Sequence, residues 1–254
     1  MMKRFLGAIL IAALSSVAMA QLPTGGTPVL TAIDAFPVAD GSNGEATPRT
    51  VARIYDNWTN PPSALTSLFR TGGDEIADDN TFSGFAGVGL LSSMGINLAN
   101  IDAASVLVTG TMAVRFYNLS DSSFIGGFNA NYNLGTLAGG GLAANGSIRL
   151  NFGVGALESM NIFLPASGVY TSLEHTVATF AGDGTLDNLG LQTRGPVGVG
   201  SSVDGMINVT TNTPFDFAGA PVANTGIYIE TNDVPEPASL ALLALGAVAF
   251  IRRR

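Results

Sequence analysis

The chain has 254 residues, with 11 basic and 19 acidic side chains, one histidine and no cysteine. Without cysteine there is no disulfide framework and no cysteine-ligated metal, and a single histidine excludes the usual zinc sites. The formal charge of −8 opposes binding to phosphate backbones, so no nucleic acid partner is expected.

The N-terminus opens with Lys3 and Arg4, continues through an apolar run from Phe5 to Leu14, and reaches Ala18-Met19-Ala20. A short basic region, an apolar stretch and small residues at a cleavage point form a secretory signal. Residues 1–20 are therefore read as a signal helix removed by signal peptidase, with Ala18 and Ala20 as the small residues the peptidase inspects and Gln21 as the first mature residue. The run is shorter than the about 20 apolar residues a spanning helix needs, and Ser15-Ser16 ends it.

Residues 21–48, rich in Pro, Thr and Gly, read as an extended lead-in. Residues 49–233 read as one folded domain. Between Gln21 and Asp233 the chain keeps six arginines and no lysine against 18 acidic residues, a formal −12. Val51–Asp56 alternates like a short strand, Pro62–Phe69 suits a turn of helix, and Val88–Ile101 fits helix or strand. Ser105–Asn118 is the clearest strand: Val106, Val108, Met112, Val114 and Phe116 share one face, and Thr109, Thr111, Arg115 and Tyr117 the other. Ser147–Val154 repeats the form, with Ile148, Leu150, Phe152 and Val154 inward. Further strands are expected at 124–131, 160–164, 169–179, 189–193, 206–211 and 227–231. Turn residues separate them, among them Asn145-Gly146, Gly182-Asp183-Gly184 and Asp204-Gly205. This pattern predicts an all-β chain: a single β-sandwich of jelly-roll-like order, flanked by the N-terminal signal helix and a short C-terminal apolar helix.

The body offers little catalytic chemistry. His175 would have to serve any Ser-His-Asp triad, yet its neighbour Glu174 points to the opposite face of a strand and cannot orient it. The glycines of Gly87-Val88-Gly89 and Gly198-Val199-Gly200 lack the spacing of a nucleotide loop. Asp74, Glu75, Asp78 and Asp79 form the densest acidic cluster, readable as a solvated loop or as calcium ligands, with Asp183 and Asp187 as a second such group. Two of these carboxylates would also suit a glycoside hydrolase if their separation were right. Trp58, the only tryptophan, and Tyr55 are either core residues or a platform for stacking on a sugar ring. No cofactor is expected, with calcium as the alternative.

The chain closes with Pro235-Glu236-Pro237, an apolar run from Ala238 to Ile251, and Arg252-Arg253-Arg254. The run has 14 residues, short of the roughly 17–25 that cross a bilayer comfortably. As a helix in lipid it would keep the arginines on the cytoplasmic side. Residues 234–254 resemble the PEP-CTERM sorting signal of exported bacterial proteins in all three parts and in their order. The resemblance implies recognition of the tail by an exosortase in a two-membrane envelope, removal of the hydrophobic end, and a link to exopolysaccharide or biofilm matrix. It also implies transient inner-membrane anchoring before release to the cell surface or matrix. In this role Pro235, Glu236, Pro237 and the arginines are recognised, not catalytic. The body has a fainter likeness to other domains bearing this tag, through Tyr55-Asp56-Asn57, the Gly73–Asp79 stretch and Val114–Tyr117, which implies a surface β-domain and no catalytic residues. The expected function is an exported, non-enzymatic surface or matrix protein. A carbohydrate-binding module, with or without calcium, ranks second and a polysaccharide hydrolase third.

Overall fold

The structure is a computed structural model that describes residues 30–38, 51–58, 62–66, 75–84, 87–100, 104–137, 147–152, 154–182, 189–203, 205–216 and 224–233. In chain order the strands are β1 (Thr31–Val38), β2 (Val51–Asp56), β3 (Pro62–Thr66), β4 (Ile76–Asn80), β5 (Val88–Asn100), β6 (Val106–Asn118), β7 (Phe124–Leu137) and β8 (Ser147–Phe152). One short helix, α1 (Val154–Glu158), precedes β9 (Phe163–Pro165), β10 (Val169–Gly182), β11 (Leu189–Arg194), β12 (Gly205–Asn208), β13 (Thr213–Asp216), β14 (Asn224–Thr225) and β15 (Ile227–Asp233).

The all-β class expected from the alternation is what these strands form. The first sheet runs β13-β12-β4-β10-β6-β7-β1 and the second β1-β8-β5-β11-β14. In the second sheet β15 lies on β5 and β2 on β15, while β3 pairs β11 and β9 pairs β5. β1 belongs to both sheets: Thr31–Asp34 run parallel to β7, and Ala35–Val38 run antiparallel to β8. A strand that changes sheets in mid-course makes a corner of a two-sheet fold. The jelly-roll order is not established by these registers. The two flanking helices fall on residues outside the described ones.

One core joins the sheets. From the first it takes Val108, Met112, Val114 and Phe116 of β6 and Phe128 of β7; from the second, Leu91, Met94, Ile96 and Leu98 of β5 and Phe152 of β8. Phe128 stands edge-on to Phe152 across the sheets, with centroids 5.2 Å apart. Burying each such side chain stabilises the fold by about 1.5–3 kcal/mol.

Four sequence expectations shift. Val88–Asn100 is a strand, because β5 is flanked by β15 and β11 on one edge and by β8 and β9 on the other and is buried along most of its length. Such a central strand loses the simple two-residue alternation that identifies half-exposed strands. Pro62–Thr66 is a strand and not a helical turn, since its backbone pairs with β11. β8 stops at Phe152, and Val154 begins α1. The lead-in, expected to lie outside the domain, contributes β1.

The segment 198–203 ties the sheets from outside the ladders. Asp56, the last residue of β2, donates its N–H to Val199 O (2.9 Å) and accepts from Gly198 N (2.8 Å). Thr81, just past β4, exchanges two bonds with Ser201 (2.8 and 2.9 Å). Between these contacts Gly200 has φ +80°, and a Cβ there would overlap Thr81 O. A left-handed φ costs a non-glycine residue about 1–3 kcal/mol, and the backbone overlap adds to it. Gly200→Ala is expected to lower unfolding stability by about 2 kcal/mol or more, read as a lower urea midpoint with unchanged slope.

Candidate functional site

Of the acidic residues that the sequence gathers into one cluster, β4 carries Asp78 and Asp79, Glu75 stands just before it, and the fold turns Glu75 and Asp78 to opposite faces. All five residues of β4 are buried. Ile76 and Asp78 point between the sheets, whereas Glu75 and Ala77 belong to the opposite face. On that outer face the Glu75 carboxylate accepts from Ser172 Oγ (2.5 Å) and Tyr117 Oη (3.1 Å) and pairs with Arg115 (3.3 Å). Arg115, 2% exposed, also pairs with Glu174 at 2.6 Å. Its charge is matched by two carboxylates, Glu174 on the neighbouring strand β10 and Glu75 just before β4, which is what a buried guanidinium requires.

Asp78 and Asp79 form a separate group. β12 pairs β4 only at Ile76 and Ala77, and beyond them the open edge of β4 meets the 198–203 segment. Ser202 sits at this edge, its Oγ 2.9 Å from Asp78 Oδ1 and 3.1 Å from Asp79 Oδ1. Asp78 Oδ2 accepts the backbone N–H of Thr225 in the opposing sheet (2.7 Å). Asp79 accepts from Val203 N at 3.1 and 3.2 Å. Burial, then the charge of Asp79, pushes the Asp78 carboxyl up to about 8. Burial pushes Asp79 up to about 6, with the Val203 and Ser202 bonds holding it down. Among the described residues no group of three or more His, Cys, Asp or Glu is placed to hold a metal ion. Glu75 thus does not join Asp78 and Asp79 as a calcium ligand set. Asp74, Asp183 and Asp187 lie outside the described residues.

The aromatic pair is internal. Tyr55 is 0% exposed and sits in the inter-sheet core. Burial, and next the negative charge of Asp78, raises its phenol well above the usual range. Trp58, 4% exposed, stands edge-on to Tyr228 with centroids 4.8 Å apart. It lies over Gly95, where a Cβ would fall 2.5 Å from the indole ring. Arg53 covers the Tyr228 ring at 4.5 Å and bonds Glu230 at 2.8 Å. Neither Tyr55 nor Trp58 presents a ring face to a sugar. The stacking platform gives way to the core reading because the bare backbone of Gly95 creates the space that the indole fills.

His175 is also buried. Its Nε2 lies 2.7 Å from Tyr132 Oη, and Glu174 points away from it toward Arg115. Ser202 and Thr225, which complete the Asp78–Asp79 group, escaped sequence reasoning. Ser202 is 124 residues from Asp78 and Thr225 is 147, and neither stands in a local pattern. Arg115 carried a signal, as an arginine in mid-strand on the outward face of the clearest strand.

The second region of interest starts where the fold ends. β15 closes with Asp233, opposite Gly89 of β5, and Pro235 follows two residues later. Residues 233–254 match the family of the PEP-CTERM protein-sorting motif. No curated protein and no solved structure matches the chain. The chain therefore carries a PEP-CTERM sorting tail that contains Pro235, Glu236, Pro237, Arg252, Arg253 and Arg254. These residues, and Ala18, Ala20 and Gln21 at the other end, lie outside the described ones. Among the described residues no helix is long and apolar enough to cross a membrane.

The buried groups pull stability in opposite directions with pH. The raised carboxyls of Asp78 and Asp79 stabilise the fold at low pH, and that contribution is lost as pH rises toward about 8. His175 acts the other way. Burial lowers its pKa from 6.5 to about 3, so the folded state declines a proton that the unfolded state takes. Its contribution is present above 6.5 and is lost as pH falls toward 3. His175→Gln keeps a neutral partner for Tyr132 and removes this acid-side loss. The stability difference between pH 7 and pH 4, from urea unfolding, is expected to be about 3 kcal/mol more favourable at pH 4 for the variant than for the parent.

Proposed function

We propose that this chain is an exported surface or exopolysaccharide-matrix protein, carried to its place by two terminal signals and without catalytic activity of its own. The observation that carries the reading is the match of residues 233–254 to the PEP-CTERM protein-sorting motif. In this reading signal peptidase cuts before Gln21. The apolar run then holds the body at the outer side of the inner membrane, with Arg252–Arg254 on the cytoplasmic side. An exosortase recognises Pro235-Glu236-Pro237 and removes the hydrophobic end. The prolines suit this role: neither offers an N–H for a ladder or a helix, so the backbone beyond β15 is poorly disposed to join either. The body then meets matrix polysaccharide as an acidic, soluble domain.

No observation favours the carbohydrate-binding alternative through Tyr55 and Trp58, whose rings are enclosed. The hydrolase alternative through Asp78 and Asp79 meets a similar obstacle, since their oxygens are already bonded to Ser202, Val203 and Thr225.

Intact mass spectrometry of material recovered outside the cell is expected to show a protein beginning at Gln21 and lacking the terminal arginines. A chain truncated after Asp233 is expected to leave the cytoplasm but to miss the surface location of the full-length protein. Recovery of exported protein that retains Arg252–Arg254, or normal placement of the truncated chain, would overturn the sorting role.

A further inference from the structure

The Ser202 hydroxyl has one hydrogen and faces three oxygens: Asp78 Oδ1 (2.9 Å), Asp79 Oδ1 (3.1 Å) and Val203 O (3.1 Å). One hydrogen cannot satisfy three acceptors. If both aspartates were ionised, Ser202 could donate to one carboxylate and would turn a lone pair toward the other. Two negative charges would then share a buried space. A single proton on Asp78 Oδ1 resolves the arrangement. Asp78 donates to Ser202 Oγ, and Ser202 donates to Asp79 Oδ1. Asp78 Oδ2 is filled by the Thr225 N–H and Asp79 by the Val203 N–H. With one proton every donor in the chain has an acceptor, and the remaining charge sits on Asp79, where it receives hydrogen bonds from Val203 N–H and the Ser202 hydroxyl.

The geometry points to a one-proton binding site, Asp78–Ser202–Asp79, whose proton fastens the 198–203 segment to β4 and, through Thr225, to the opposing sheet, so that loss of the proton to solvent loosens this tie. The surroundings agree with a site that holds one proton. Asp79 is the charged neighbour on the same strand, and Asn80 follows it. From β2 the Tyr55 phenol lies within reach of Asp78, Asp79, Asn80 and Ser202. In β10, Thr171 and Tyr170 stand opposite Asp78 and Asp79 in register. From β14 comes Thr225, whose N–H and hydroxyl both act on Asp78, the hydroxyl also lying 3.6 Å from Met206 Sδ of β12. The groups that act on the two carboxyls are thus hydroxyls, backbone amides and each other. The upward displacement of both carboxyls is what this environment produces. Because they are coupled, the proton leaves in a step that belongs to the pair.

The proton site is independent of the sorting role and stands or falls without it. Its test uses the full chain. The infrared carbonyl band of a protonated carboxyl is recorded from pH 5 to 10, and hydrogen exchange of peptides covering 198–203 is followed over the same range, corrected for the intrinsic pH dependence of exchange. Ordinary Asp and Glu are ionised at pH 7, so a band that persists there reports a retained proton. The expected result is one such band at pH 7, lost above about pH 8–9. Protection of 198–203 should fall by up to about tenfold per pH unit as the band disappears. In Asp78→Asn the amide stands in for the neutral acid, the band is absent, and protection of 198–203 stays level. No protonated band at pH 7 in the parent protein overturns the site. A band that disappears while protection of 198–203 stays constant overturns the coupling. Both outcomes are read from the parent protein alone, so they hold even if Asp78→Asn does not fold.

Discussion

Two sheets bury one apolar face each against the other, and apolar side chains fill the space between them. That constraint governs the rest of the molecule. Phe128 and Phe152 meet across it, and the inward faces of β5, β6, β8 and β10 fill it. A polar group that enters this space must bring its partners along, because an unpaired buried carboxyl costs several kcal/mol. Asp78 enters from β4 and finds the Thr225 amide on the opposite sheet and the Ser202 hydroxyl at its edge. The outer face of the first sheet meets the same demand differently, by surrounding Arg115 with Glu75 and Glu174.

The strands most legible in the sequence are those with one face inward and one outward. β6 keeps Val108, Met112, Val114 and Phe116 in the core, as its alternation requires. β5 resisted the same reading because it is central and enclosed, so serines, glycines and leucines alternate without a solvent phase to order them. β3 begins with a proline and β1 contains one, and both residues weaken the strand signal although their backbones pair. Nothing local marks β1 as a strand that serves two sheets, since its partners are supplied by residues about a hundred positions downstream.

The same contrast separates the two functional regions. The sorting tail is a linear signal, recognised as written, and its residues in order are its whole content. The Asp78–Ser202–Asp79 group is assembled by the fold from two segments more than 120 residues apart. In the sequence, Asp78 and Asp79 looked like members of a run with Asp74 and Glu75. The pleat of β4 sends Glu75 to one face and Asp78 to the other, which no count of acidic residues conveys.

The position of β15 has a mechanical consequence. The strand lies between β2 and β5 and runs straight into the tail. A pull on the tail along the strand axis loads the hydrogen bonds on both flanks in shear, all at once, whereas an edge strand peeled from one end breaks its bonds in succession. The domain thus ends on a strand bonded on both flanks, not on a rim strand. Tension on the tether is thereby spread over the sheet and not concentrated at its rim.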